Sequence, residues 1–292
     1  MRVFIPTKGR HKSISTHQAF DGSDYFIVVH DEDERERYVD NSTVEESRVI
    51  VSGVAADDYG LTRQREWICE NLVEPDEWFV FADDNIKALT AVAKGYYDCT
   101  ELPVQDGNGP IWKDVYSRLC TVERFMEIAA ETRGIAESVG AHWCGFATTP
   151  NFYFRGTKWR YAGYVIGKLT IAHNIGVPFD HTISMEDFNN TAEHLYRFGA
   201  VVINNFVWPQ AGHYEGGGMG RYEERVPVRK QDVQLLLRKW PGLFRVKNRP
   251  GFEPDTDLAL RLHRAKQIQQ WRRDLPKLRI QAMGLGKPSW KV

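Results

Sequence analysis

The run Trp78-Phe79-Val80-Phe81-Ala82, with Asp83-Asp84-Asn85 directly after it, constrains this chain more than any other stretch. Five consecutive apolar residues without polar alternation suit a strand buried on both faces, the kind found inside a parallel sheet. Such a strand delivers its next residues to the carboxyl edge of the sheet, where open α/β folds bind ligands. Here those residues are two carboxylates and an amide. These are hard oxygen donors, suited to Mg²⁺ or Mn²⁺ beside a diphosphate rather than to a thiol-seeking metal. An acidic turn with no ligand is the plainer alternative, since Asp and Asn are common turn formers.

The N-terminal third supplies more of such a sheet. Val3-Phe4-Ile5 runs into the turn Pro6-Thr7-Lys8-Gly9-Arg10. Tyr25–Val29 ends on His30 and the acidic stretch from Asp31, and Val49–Val51 ends on Ser52 and Gly53. The segment after Gly60 has Leu61, Trp67, Ile68 and Leu72 at roughly helical spacing. The expected order is strand, turn, strand, turn, strand, helix, strand. That order implies an α/β fold with a Rossmann-type, mostly parallel sheet flanked by helices. Farther on, 145–149, 164–167 and 169–173 read as strands of a mixed extension. The stretch 183–199 reads as a helix with Phe188, Ala192, Leu195 and Phe198 on one face and Gly199 as its stop. Glu186 and Asp187 stand near its start, where the helix dipole alone would favour acids. His213 precedes a loop with four glycines between 216 and 220.

The net charge of −1 conceals a division. Residues 221–292 hold 18 Lys/Arg and 7 Asp/Glu, a net +11, whereas residues 1–220 hold 20 and 32, a net −12. Trp240, Phe244, Trp271 and Trp290 lie among the cations. Expected amphipathic helices at 233–240 and 258–271 make this a mainly helical, basic C-terminal extension. A cationic segment with interleaved aromatics suits a polyanion, nucleic acid first, although basic outer faces of solvated helices would look similar. The division suggests two units, 1–220 and 221–292. No run approaches the roughly 18 apolar residues of a membrane span. The chain opens on a strand rather than a charged-then-apolar leader, so a cytoplasmic location is expected. Cys69, Cys99, Cys120 and Cys144 are widely spaced and form no metal pattern, as expected of cytosolic thiols.

Taken together, the Ile5-Pro6-Thr7-Lys8-Gly9-Arg10 turn, the helix carrying Arg63 and Arg65, the Asp83-Asp84-Asn85 cluster and the Glu186-Asp187 pair resemble GT-A-fold glycosyltransferases over roughly residues 1–220. The resemblance implies a UDP-sugar donor, UDP-glucose among the candidates, held by Pro6, Thr7, Arg10, His30, Asp31, Ser52, Arg63, Arg65, Asp83 and Asp84. It implies an Mn²⁺ or Mg²⁺ cofactor on Asp83, Asn85 and His213. Asp83 matches the ribose-side acid and Asn85 the direct metal ligand, where the family more often has Asp. Asp187 matches the catalytic acid that faces the acceptor, with Glu186 beside it. With the basic extension added, the chain is most similar to the TET/JBP-associated DNA glycosyltransferases of bacteriophages. Their implied acceptor is 5-hydroxymethylcytosine in double-stranded DNA, here bound through Arg238, Lys239, Arg245 and Lys247. Two other readings stay open: a GT-A enzyme acting on a glycan or cell-wall polymer, and a non-catalytic DNA-binding module. A nucleotidyltransferase would open on a Gly-rich loop, which Pro6–Arg10 is not.

Overall fold

The computed structural model describes residues 1–41, 44–55, 60–99, 118–149, 157–180, 184–211, 222–248 and 250–282. The chain begins β1 (Val3–Pro6), α1 (Thr16–Ala19), β2 (Tyr25–Val29), α2 (Glu32–Asn41), β3 (Val49–Val51), α3 (Gly60–Asn71) and β4 (Trp78–Ala82). It continues through β5 (Ile86–Ala91), α4 (Lys94–Tyr97), β6 (Arg118–Leu119), α5 (Val122–Val139), β7 (Trp143–Phe146), β8 (Trp159–Arg160) and β9 (Leu169–His173). Then come α6 (Glu186–Arg197), β10 (Val202–Asn204), β11 (Val207–Ala211), α7 (Tyr222–Lys239), β12 (Phe244–Val246), β13 (Leu258–Leu260) and α8 (Ala265–Ala282).

The central sheet has strand order β3-β2-β1-β4-β9-β7-β10-β8. Its first four strands are parallel neighbours, and so are β7 and β10. β9 runs antiparallel between β4 and β7, and β8 is an antiparallel edge. This is the expected mostly parallel sheet with a mixed extension. β5 leaves it to form a smaller sheet with β11 and β6.

Strand β4 shows why the apolar run is continuous. Trp78, Val80 and Ala82 join the apolar cluster on one face, and Phe79 and Phe81 join the cluster on the other. The alternation is the two-residue period of a strand, with both sides dry. Truncating Phe79 or Phe81, both fully buried, would cost about 3–5 kcal/mol. The first face is covered by α5 through Phe125, Ile128 and Ala129 and by Tyr38 of α2. The second is covered by Ile68 of α3 and by Phe188, Ala192 and Leu195 of α6. Val233, Leu236, Trp240, Phe244, Ile268, Trp271 and Leu275 of the basic segment belong to that same second cluster. The 220/221 division falls outside the described residues.

Three expectations differ from the fold. The acidic stretch after β2 is helix α2, not a turn: Asp31 Oδ1 caps it by accepting from the Glu34 amide at 2.8 Å, and Glu34 and Tyr38 face inward. Its many charges hid a face only two residues wide. Residues 164–167 are not a strand, because Gly167 and Lys168 turn the chain into β9. The expected helix over 258–271 divides into strand β13, paired with β12, and the start of α8. The Leu-Ala-Leu triplet fits either period, and packing against Phe244–Val246 decides it.

His194, near the end of α6, is buried and stacks on Trp143 with ring centroids 5.3 Å apart. Burial pushes its imidazole down to about 4, so the native ring is neutral. A base with a depressed folded pKa contributes stability that is present above its ordinary value and lost as pH falls towards the folded value. Between pH 7.5 and pH 5 the wild type should lose about 2 kcal/mol more than His194→Phe, read from urea midpoints. Equal losses would show that His194 does not set the acid limit.

Candidate active site

The carboxyl ends of the parallel strands gather the polar residues named from the sequence. β1 delivers Thr7, β2 delivers His30, β3 delivers Ser52 and β4 delivers Asp83. Because β9 is antiparallel to β4, its beginning lies at the same edge, and the Asp83 amide donates to the Lys168 carbonyl at 2.8 Å. Residues 83–86 are braced from below: the Ser15 hydroxyl donates to the Ile86 carbonyl at 2.9 Å, and the Ile86 amide donates to Thr16 Oγ1 at 2.8 Å.

Arg65 is the hub. It projects from α3 and is fully buried. Nη2 donates to Asp83 Oδ1 at 3.1 Å and to the Gly167 carbonyl at 2.8 Å. Nη1 donates to Glu186 Oε1 at 2.9 Å. The guanidinium also lies over the Phe81 ring, 5.3 Å from its centroid. One buried cation therefore ties the acid at the end of β4 to the acid at the start of α6. Burial pushes the Asp83 carboxyl up against the pull of Arg65 and Lys168. It also raises Glu186, again opposed by Arg65.

Asp84 turns the other way. Its Oδ1 lies 3.1 Å from Arg10 Nε, and its Oδ2 accepts from the Thr7 hydroxyl at 2.7 Å. Since Thr7 gives its one proton to Asp84, Tyr38 donates to Thr7 across 2.6 Å, and the Tyr38 oxygen accepts from the Arg10 amide. The Pro6–Arg10 turn is thereby fastened to both α2 and the acid cluster.

Asp187 lies beside Glu186 and is held on both oxygens. Oδ1 accepts from the Phe188 amide at 2.9 Å, and Oδ2 accepts from the Tyr164 hydroxyl and from the Gly167 amide at 3.3 Å. Burial pushes this carboxyl up, and those hydrogen bonds oppose the shift. The Tyr164 ring is fixed by stacking on Phe188 at 4.1 Å. Gly167 is glycine for space: a Cβ there would stand 3.1 Å from Arg65 Nη1, 3.1 Å from Glu186 Oε1 and 3.2 Å from the Asp187 Cβ.

The other sequence-named residues have these places. His30 is buried with Nδ1 2.8 Å from the Val54 carbonyl, and the Ser52 hydroxyl donates to the Val29 carbonyl at 2.9 Å. Both hold the loops at the sheet edge, while Asp31 caps α2. Arg63 pairs with Glu66 on its own helix. Asn85 is half-buried in the turn after Asp84. His213 and the glycine-rich loop lie outside the described residues. Lys239 pairs with Asp180 at 2.9 Å and Glu193 at 3.3 Å, whereas Arg238, Arg245 and Lys247 are exposed. Tyr38, Tyr164, Gly167 and Lys168 were not singled out from the sequence for the site. Only the antiparallel placement of β9 brings the last three to this edge.

Among the described residues, no group of three or more His, Cys, Asp or Glu is placed to enclose a metal, and no helix is long and apolar enough to cross a membrane. Asp83 and Asn85 carry the hard oxygen donors that a divalent cation would take, but Asn85 Oδ1 is buried, which leaves Asp83 as the partly open one. Asp83 keeps 28% of its side chain exposed while Asp84 is committed to Arg10 and Thr7.

No curated protein matches this chain. Among solved structures, that of S. aureus TarS residues 1–349 is similar at a TM-score of 0.42 and 11% identity, with 100% of this chain and 74% of that one covered. The sequence model of the TET-associated glycosyltransferases matches residues 1–195, which span every element from the Pro6–Arg10 turn to the acids of α6. The chain belongs to the TET-associated glycosyltransferase family.

Proposed function

We propose that this glycosyltransferase moves a sugar from a UDP-sugar to the hydroxymethyl group of 5-hydroxymethylcytosine in phage DNA, with Mn²⁺ or Mg²⁺ as cofactor. The observation that carries the reading is the bridge through Arg65. Arg65 joins Asp83, read here as the donor-side acid, to Glu186, neighbour of the acceptor-side Asp187, at the carboxyl edge of the sheet, which supports a single reaction centre. A divalent cation would be held by Asp83 and Asn85 together with His213, and it would supply charge neutralisation of the diphosphate leaving group.

Each of the chain's own residues has a role in this reading. Thr7 and Arg10 shape the turn under the nucleotide, Asp83 stands on the ribose side, and Lys168 lies beside the diphosphate. The acceptor base leaves the helical stack so that its hydroxymethyl oxygen can reach C1 of the sugar. Asp187 takes the hydroxyl proton as that oxygen forms its bond to C1. The bond from C1 to the phosphate oxygen breaks with its electron pair, which leaves on UDP. The exposed cations Arg238, Arg245 and Lys247 attract the duplex, and Lys239 stays engaged with α6.

The test is incubation of the chain with a panel of UDP-sugars and duplex DNA containing hydroxymethylcytosine, read by nucleoside mass spectrometry. One sugar mass added to the modified nucleoside is expected, and the product should vanish in EDTA. Full activity in EDTA would remove the metal. Donor hydrolysis without a DNA product would shift the acceptor to a glycan, and no donor turnover at all would leave a binding module. DNA affinity should fall with salt at a log–log slope of about −4 or steeper, at roughly −0.9 per phosphate contact. Charge reversal at Arg238, Arg245 and Lys247 should flatten that slope and leave donor hydrolysis unchanged.

A further inference from the structure

Helix α6 carries the acids that the proposed reaction needs, yet its own sequence caps it poorly. The N-cap is Met185, whose side chain accepts no hydrogen bond from the first turn. Apolar residues are among the weakest at this position, and the first amides of a helix need acceptors from elsewhere. What is held from the far side of the chain is the lead-in to the helix, the N-cap Met185 and Ser184 before it. Asp232 of α7, itself only 2% exposed, takes the Ser184 amide at 2.9 Å, the Ser184 hydroxyl and the Met185 amide at 3.2 Å, all on Oδ2.

The other end of α6 is held from the same segment. Arg272 of α8 donates from Nε to the Tyr196 carbonyl at 2.6 Å and from Nη2 to the Arg197 carbonyl at 2.7 Å. These are last-turn carbonyls, where a cation also meets the negative end of the helix dipole. Gly199, at φ 82°, leaves the room: a Cβ there would stand 2.6 Å from Arg272 Nη1. Between the two ends, Trp240 Nε1 donates to Asn189 Oδ1 at 3.0 Å, and Lys239 pairs with Glu193. The family match ends at residue 195, so all of these clamping groups lie beyond it.

We infer that α7, Trp240 and α8 form a clamp that positions α6 for catalysis, with Asp232 as the positioning residue that sets where Glu186 and Asp187 stand against Arg65 and Asp83. The basic segment thereby acts on the chemistry as well as on the polyanion. Asp232 lies directly behind the residue pair whose placement matters, because Ser184 and Met185 lead straight into Glu186. A displacement of about 1 Å at a reacting group is enough to cost on the order of 100-fold in rate.

The inference rests on the reading of Asp187 as the acceptor-side base, and the test separates the two. In the full-length chain, Asp232→Ala, Asp232→Asn, Ser184→Ala and Asp187→Asn are compared with wild type. UDP binding is measured together with turnover of UDP-glucose on hydroxymethylcytosine DNA and amide hydrogen exchange over residues 184–190. Asp232→Ala should lower turnover by about 10- to 100-fold, keep the UDP Kd within about twofold, and speed exchange over 184–190. Asp232→Asn keeps an acceptor oxygen and should recover most of the rate. Ser184→Ala, which removes one of the three donors and is expected to fold, should lie between. A residue that only supports the fold would instead lower UDP binding and turnover together. If Asp187→Asn abolishes turnover while Asp232→Ala and Ser184→Ala stay within twofold of wild type, the clamp is overturned and the base stands. If Asp187→Asn keeps full turnover, the base is overturned, and the clamp is then overturned as well only if Asp232→Ala also stays within twofold of wild type.

Discussion

Asp187→Asn should leave UDP-sugar affinity within about threefold of wild type and lower turnover by roughly 10²- to 10⁴-fold, the usual contribution of a general base. The split arises from where the carboxylate sits. Its partners are the Tyr164 hydroxyl and the Gly167 and Phe188 amides, and none of them is among the groups named for the donor. Burial raises the carboxyl, which makes it a better proton acceptor once ionised, while the three hydrogen bonds keep it ionisable. The amide is not a perfect replacement, because one side must now present N–H to donors that expect an acceptor. A stability loss of about 1 kcal/mol should therefore accompany the rate loss, and melting temperature should be read alongside turnover. Donor affinity falling in step with turnover would sink the assignment. A larger rate loss in Glu186→Gln would move the role to Glu186, which the buried Arg65 now holds.

How far the sequence could lead depended on whether neighbours in space were neighbours in the chain. β4 and its acids were legible because five apolar residues and two aspartates are contiguous, and both faces of the strand are dry. The strand-end turns were legible for the same reason. Arg65 was named for the donor, but its bond to Glu186 spans 121 positions, and no local pattern encodes it. Tyr164 and Gly167 were masked by a Tyr-Val-Ile run with the composition of a strand, whereas their place is the turn into β9. Asp232 could not be found at all, since a lone Asp in a basic amphipathic helix looks like any surface acid. The charge division was read correctly as a count, but charge does not say which cations are spoken for. Lys239 and Arg272 hold α6, while Arg238 and Arg245 face outward.

Replacing the hub should have the largest effect on folding. Arg65→Met keeps much of the aliphatic stem but removes the cation, and a loss of about 3–5 kcal/mol is expected at neutral pH in urea unfolding. The cause is less the lost attraction than the groups left unpaired. Glu186 would lose its counter-charge, Asp83 would keep only the pull of Lys168 and Arg10, and the Gly167 carbonyl would lose its donor. Since Glu186 is almost wholly buried, neutralising it should help. The double variant Arg65→Met with Glu186→Gln is expected to recover part of the loss, and the pair should show a coupling energy on the order of 1–3 kcal/mol. The strand-end acid would stay displaced, so donor binding should remain weak in the double variant even as stability returns. Additive single losses would mean that Arg65 and Glu186 do not act together, and the bridge between the donor and acceptor halves would then carry no weight in either folding or function.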